Sequence, residues 1–361
     1  AKNNYQTAFM APTEVLAKQH YKTLIKIIGK LIDKWQLGLA LVTSAECCCY
    51  FGEGLESKIP KSQLVKKINE GRIPIIVGTH ALIQKSINFS RLALAVVDEQ
   101  HRFGVDQRDA LLKNKKVMPH FLSMSATPIP RTLALTVFSD LDLSIINELP
   151  SGRQPIITKI VAPANRQKAY QFIREQIQKG RQAFVICPRI DSENKTDSLW
   201  SDAKTVKEEY EKLTTQIFPE LKLAMLHGRM KSNEKNQTMQ DFSQNKINIL
   251  IATSVIEVGV DIPNATIMVI EGADRFGLAQ LYQFRGRVGR GEHQSFCLLF
   301  TDSVSSTTHQ RLNSLLEAKN GFELAEKDLA IRGPGEFLGQ SQTGLPDLAM
   351  RSLNNIELIK K

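Results

Sequence analysis

Three short runs of this chain carry residues able to handle a metal ion, a water and a phosphate. They are Val-Val-Asp-Glu-Gln-His at 96–101, Thr-Ser-Val-Ile-Glu-Val-Gly-Val-Asp-Ile-Pro at 253–263, and Gln-Phe-Arg-Gly-Arg-Val-Gly-Arg at 283–290. Val96-Val97 reads as the end of a buried strand, so Asp98 and Glu99 fall at its carboxyl end, the edge of an open α/β sheet where ligands bind. There an aspartate can hold Mg2+, directly or through water, and a neighbouring glutamate can polarise an attacking water. Acidic strand ends are common in solvent, and this pair takes its meaning from the two later runs. Arg287 and Arg290 are three apart, so a helical turn would face them one way. Guanidinium forks match phosphate oxygens, and an arginine reaching a phosphate across a cleft contributes about 10³–10⁵ in rate. In this order, on separate strand ends, the runs imply hydrolysis of ATP between two lobes.

Smaller signals surround them. Ser125, Ala126 and Thr127 follow another strand, and the two hydroxyls could bond the acidic pair and link nucleotide state to lobe geometry. Pro12-Thr13, Gly78-Thr79-His80 and His227-Gly228-Arg229 also end strands, and Thr253 opens the second run. Small residues with hydroxyls and backbone amides suit sugar-phosphate contacts that read no bases. Each of these turns, alone, is also an ordinary strand end.

The elements that would position these groups alternate. Strands are expected near 8–10, 39–42, 75–77, 94–97 and 121–123, with helices at 13–32, 61–70 and 105–113. Thr13 suits a helix N-cap. A Pro/Gly-rich stretch at 149–155 reads as a linker. Beyond it, strands are expected near 158–161, 183–187, 223–226, 247–251, 267–270 and 296–300, with a polar loop at 191–201 and a helix at 307–319. This βαβα rhythm predicts an α/β fold of parallel sheets covered by helices. The expected division is 1–150, 151–302, and an appendage at 303–361 in which Arg-Gly-Pro-Gly at 332–335 breaks any helix.

At 361 residues, with 42% hydrophobic content, the chain is long enough for two cores. It has no run of about 18 apolar residues and no signal-peptide pattern at its first residues, so neither membrane nor export is expected. The net charge of +10 favours a polyanionic partner. The five cysteines, three of them consecutive at 47–49, form neither a disulfide framework nor a spaced zinc site. Cys187 and Cys297 lie in apolar runs and read as core residues.

These residues resemble superfamily 2 helicases, and more closely the RecG family of bacterial branched-DNA translocases. The likeness is carried by Asp-Glu-Gln-His-Arg-Phe-Gly-Val at 98–105, Met-Ser-Ala-Thr-Pro-Ile-Pro-Arg-Thr at 124–132, Ile-Glu-Val-Gly-Val-Asp-Ile-Pro-Asn-Ala at 256–265, and Glu-Leu-Ala-Glu-Lys-Asp-Leu-Ala-Ile-Arg-Gly-Pro-Gly-Glu at 323–336. It covers nearly the whole chain. The resemblance implies two RecA-like lobes of the P-loop NTPase fold with a small C-terminal helical appendage, and ATP and Mg2+ as cofactors. It makes Asp98 and Glu99 the Walker B pair, with Asp98 toward the metal and Gln100 and His101 beside the nucleotide. Gln283, Arg287 and Arg290 become motif VI, and Gly259 and Asp261 fall in motif V. Pro12, Thr13, Gly78, Thr79, His80, His227, Gly228, Arg229 and Thr253 fall on the DNA path, and Ser125, Ala126, Thr127 and Arg332 become coupling residues. The implied activity is ATP-driven movement on branched double-stranded DNA, with fork regression and Holliday-junction branch migration, by a monomer in the bacterial cytoplasm at the nucleoid.

Two departures stand out. No G-x-x-x-x-G-K-[ST] phosphate loop occurs, so the loop and the family's wedge domain are expected ahead of Ala1, and the isolated chain is expected to be inactive in hydrolysis. The family's threonine-glycine-serine segment is here Thr-Ser-Ala-Glu-Cys-Cys-Cys at 43–49. Two other readings stay open: a nucleic-acid-binding fragment without ATPase activity, and a transcription-repair coupling translocase, whose Walker B usually reads Asp-Glu-Glu-His.

Overall fold

Apolar tetrads and pentads of the sequence become parallel strands in two sheets. The computed structural model describes residues 3–35, 37–99, 103, 118–126, 142, 144–146, 148, 152–188, 205–253 and 262–332. The chain divides into two units, Ala1–Ala126 and Thr127–Lys361.

The first unit contains β1 (Gln6–Met10), β2 (Leu39–Val42), β3 (Cys47–Tyr50), β4 (Glu56–Lys58), β5 (Ile75–Gly78), β6 (Leu92–Val97) and β7 (His120–Ser123). Their order in the sheet is β4-β3-β2-β5-β1-β6-β7. The five strands from β2 to β7 run parallel, and β3 and β4 extend one edge antiparallel. Val42, Gly78, Met10, Val97 and Ser123 lie in one row across the parallel strands. Every segment that follows them therefore emerges on the same edge. The helix Glu14–Trp35 buries Ala17, Tyr21 and Ile32 on one face of the sheet, and the helix Lys61–Asn69 buries Leu64 and Ile68 in the core of the other. Strands covered on both faces read as continuous apolar runs, as Leu-Ala-Leu-Val of β2 does.

The second unit contains β8 (Ile157–Val161), β9 (Gln182–Ile186), β10 (Leu223–Leu226), β11 (Ile249–Ala252), β12 (Ala265–Ile270) and β13 (Phe296–Phe300), ordered β10-β11-β9-β12-β13-β8 and all parallel. One face is packed by Phe242, Leu281, Phe284, Leu312, Leu315 and Leu324, the other by Tyr170, Ile173, Val206, Leu213 and Phe218. Cys187 and Cys297 sit in these cores. The helices Ser306–Glu317 and Gly321–Arg332 thus join the second core through Leu312, Leu315 and Leu324.

All eleven strands expected from the sequence are present; β3 and β4 were not expected. Their residues carry weak strand signals: three cysteines, then an exposed Glu-Ser-Lys with no apolar face. Left-handed backbone at Gly52, Glu53 and Gly54 closes the hairpin between them. The expected helix at 105–113, the loop at 191–201 and the break at 333–335 lie outside the described residues. Among the described residues no helix is long and apolar enough to cross a membrane.

Candidate functional site

In the first unit, Asp98 and Glu99 follow β6 at the shared carboxyl edge. The Asp98 amide donates to the Met10 carbonyl at 2.9 Å, and the Met124 amide to the Val97 carbonyl at 2.8 Å, so both neighbouring strands fix the turn. The Asp98 carboxylate is held at both oxygens: His20 Nε2 lies 2.7 Å from Oδ2, and the Glu99 amide donates to Oδ1 at 3.0 Å. Glu99 is buried and takes a left-handed backbone with φ of 50°. Such a conformation costs a residue with a long side chain about 1–3 kcal/mol and persists where surrounding structure imposes it, often at functional sites. Its Oε2 accepts the Ala126 amide at 3.4 Å. The backbone of Ala126 thus connects Glu99 to the segment after β7, where hydroxyls of Ser125 and Thr127 were expected to bond the acidic pair. Gln100, His101 and Thr127 lie outside the described residues.

The same edge carries Pro12 and Thr13, both half-buried. Thr13 Oγ1 accepts the Leu16 amide at 3.3 Å, capping the helix as expected and leaving the hydroxyl proton to donate elsewhere. Ala45 donates its amide to Glu14 Oε1 at 3.0 Å and Lys18 pairs with Glu46 at 2.6 Å, which ties the segment after β2 to this helix start. Lys18 holds the Glu46 carboxyl below the usual range. A side chain at Gly78 would meet the Val42 carbonyl oxygen at 2.4 Å, so the close approach of β2 requires glycine. Thr79 is 1% exposed and its Oγ1 accepts the Ala81 amide, so of this trio only His80 is exposed.

In the second unit, register aligns Leu226, Ala252, Ile186 and Ile270. His227, Thr253, Cys187 and Glu271 are the next residues out on that edge. His227 is half-buried, and burial, aided by Lys235 and Arg229, holds its imidazole below the ordinary value. Gly228 is exposed and Arg229 half-buried, whereas Thr253 is fully buried. Gly259 and Asp261 lie outside the described residues.

Gln283 is buried within the helix Leu278–Arg285. That helix ends at Gly286, and Gly289 has a left-handed φ of 75°. Arg287 and Arg290 are therefore carried on a turn, not on one face of a helix as the three-residue spacing predicts. Both are half-buried, and Arg290 Nε reaches back to the Gly286 carbonyl at 3.4 Å. Arg285 Nη1 donates to the Leu315 carbonyl at 2.8 Å, tying this helix to Ser306–Glu317. Arg332 ends the last described helix.

Two adjacent carboxylates on a strand edge suit a hard cation that keeps part of its water shell, as Mg2+ does. A phosphate cradle of the Gly-rich, lysine-ended kind is not supplied by these 361 residues. Two participants escaped the sequence reading. His20 sits inside an amphipathic helix and its only signal was its place two turns beyond Thr13. The left-handed backbone of Glu99 left no trace in residue type.

The DEAD/DEAH box helicase family matches residues 1–136, and the helicase conserved C-terminal domain matches residues 165–292. The ATP-dependent DNA helicase RecG of Synechocystis sp. is 49% identical over 98% of this chain, which covers 40% of that protein. The RecG helicase of Bacillus subtilis is 45% identical over 97% of the chain and 48% of its own length. The chain thus spans less than half of these curated relatives. A solved RecG bound to a three-way DNA junction matches with a TM-score of 0.72 and 37% identity, over 99% of this chain and 44% of that one. S. cerevisiae Dbp5 bound to RNA and ADP BeF3 matches with a TM-score of 0.55 and 15% identity over 99% of this chain and 82% of that one, a likeness of fold alone.

Proposed function

The chain belongs to the RecG family of superfamily 2 helicases, with two RecA-like lobes, and on that footing we propose that it is the motor part of an ATP-dependent translocase acting on branched double-stranded DNA. The observation that carries this reading is the Asp98–Glu99 pair, with Glu99 bent into left-handed backbone and bonded to the Ala126 amide. We divide the motor into lobes at 1–150 and 151–302 and a coupling region at 303–361.

Bound ATP with Mg2+ would supply the phosphoryl group and its leaving diphosphate. Asp98 would hold the metal, directly or through water, and Glu99 would take a proton from the attacking water. Gln283, Arg287 and Arg290 meet the phosphate charge. Gln100, His101, Gly259 and Asp261 complete the nucleotide contacts. Thr13, His80, His227 and Arg229 meet DNA phosphates with side chains, while Pro12, Gly78, Thr79, Gly228 and Thr253 shape the backbone path. Ser125, Ala126, Thr127 and Arg332 link hydrolysis to movement. The setting is the bacterial cytoplasm at the nucleoid, and the enzyme works as a monomer in fork regression and branch migration.

The test is ATP turnover by the intact enzyme with three-way junction, plain duplex or no DNA, alongside junction binding as a function of salt. Junction DNA should stimulate most, and log affinity should fall with log salt by about 0.9 per duplex phosphate contacted. Turnover indifferent to DNA, or affinity indifferent to salt, would overturn the reading. Turnover that requires RNA polymerase would favour the transcription-repair translocase.

A further inference from the structure

His20 lies on the helix Glu14–Trp35, outside every motif named above, yet it makes a close contact to Asp98. Its Nε2 is 2.7 Å from Asp98 Oδ2. A carboxylate only accepts, so the imidazole donates through Nε2–H. Its ring stacks at 4.5 Å between centroids and 40° on Phe9 of β1, the strand whose last residue, Met10, accepts the Asp98 amide. The ring is thereby held on one side by Phe9 and aimed by Asp98. The Glu99 amide already occupies Oδ1 at 3.0 Å. With both oxygens hydrogen-bonded, rotation of the carboxylate is restrained, and its remaining lone pairs are left for a cation or its water shell.

The same helix is capped by Thr13, which follows β1 at the carboxyl edge of the sheet and whose Oγ1 accepts the Leu16 amide. Thr13 and His20 are two turns apart, so they share a helix face. A helix moves as a rigid unit, and a displacement at its capped end moves the imidazole.

We infer that His20 is a positioning residue: it sets the direction of the Asp98 carboxylate, and through its helix makes that direction answer to DNA at Thr13. This rests on the reading of Asp98 as the metal-side carboxylate. Partners that orient a metal ligand change metal affinity or activity by about 10–100-fold when removed.

Two measurements test it. In the intact enzyme, His20→Leu removes the donor, whereas His20→Gln keeps an N–H able to reach the same oxygen. His20→Leu should raise the Mg2+ concentration for half-maximal turnover by about tenfold or more, and weaken stimulation by DNA, while His20→Gln stays near the native values. In the chain itself, with 15N-labelled histidine, the His20 Nε2–H resonance should show the hydrogen-bonded tautomer and should shift when duplex DNA is added without nucleotide. An unchanged Mg2+ requirement in His20→Leu overturns the proposal. So does a resonance that ignores DNA, or a His20→Gln variant as impaired as His20→Leu with the same fall in melting temperature, which would mark a packing role. Glu99→Gln run in parallel separates the two levels: if it hydrolyses ATP normally, the active-site reading has failed, and if it is inactive while His20→Leu is normal, only the His20 inference has.

Discussion

Arg153 Nε donates to the carbonyl oxygen of Gly289 at 2.7 Å, clamping the segment that precedes β8 onto the turn between Arg287 and Arg290. Gly289 can serve there because it has a left-handed φ of 75° and no side chain, since a Cβ would stand 2.9 Å from Ile156 Cγ1. An alanine at such a site is strained by backbone and by contact together, and costs more than about 1 kcal/mol. Gly289→Ala should lower Tm by about 2 °C or more and depress turnover further than the stability loss explains. Calorimetry beside an ATPase assay checks this, and a variant with native melting and native turnover would show that the turn has no need of glycine.

Glu99→Gln preserves size and hydrogen bonding to the Ala126 amide but removes the carboxylate proposed as the base. Hydrolysis by the intact enzyme should fall by roughly 10²–10⁴, the span of general-base loss, with nucleotide binding retained. Equilibrium binding and single-turnover hydrolysis separate the two quantities. Near-native hydrolysis would remove Glu99 from the chemistry.

Arg290→Lys keeps the charge and loses the planar fork. A large loss of ATPase with DNA affinity little changed is the expected result. If junction binding collapses while turnover per bound complex survives, Arg287 and Arg290 form a DNA patch instead.

The sheets were legible because their strands are buried on both faces, and burial on both faces writes an apolar run into the sequence, as in Ile-Leu-Ile-Ala of β11. The order of strands was not written there, and it is the order that brings Ala11, Thr79, Asp98 and Met124 to one edge. Residue type singled out Asp98 and Glu99 as candidates. It could not give the direction of their side chains, which depends on His20 from another element and on a backbone amide of Ala126. Spacing misled at Arg287 and Arg290, because three residues predict a shared helix face only if the helix continues, and Gly286 ends it. The antiparallel strands β3 and β4 stayed hidden although their pairings are local, because three cysteines and then an exposed Glu-Ser-Lys carry no apolar strand pattern.

Arg285 joins the helix of Gln283 to the C-terminal pair of helices through the Leu315 carbonyl. The described part of that pair, ending at Arg332, is therefore tied to the helix that leads into Arg287 and Arg290 of its own unit. Arg332→Ala in the intact enzyme should leave DNA-stimulated hydrolysis largely intact and sharply reduce fork unwinding. Both activities and Tm are read on one preparation. Proportional loss of hydrolysis and unwinding with a lowered Tm would make Arg332 a docking residue and end the coupling assignment.

Glu209 offers a test of the second unit that needs no nucleotide. Burial lifts its carboxyl above the usual range, Lys212 pulls it down, and Glu271 pushes it up again, with burial the largest cause. A carboxyl whose folded pKa exceeds its unfolded value binds its proton more tightly in the folded state. The folded state then holds more protons across the window between the two values, and stability falls as pH rises through it. Glu209 therefore contributes most below its unfolded pKa of about 4.3 and least near neutrality. Glu46, Glu220 and Asp241, held below the usual range by Lys18, Arg174 and Gln237 respectively, act in the opposite sense and lose stability as pH falls. The variant-minus-native difference isolates Glu209 from them. Glu209→Gln resembles the protonated acid, so the Tm difference should be small near pH 4 and become more positive toward pH 7. Lys212, 3.2 Å away and partly exposed, offsets little of this, since such pairs contribute about 0–1 kcal/mol. A difference that becomes more negative as pH rises would mean that the attraction of Lys212 outweighs burial, and that Glu209 is held ionised as one half of a stabilising pair.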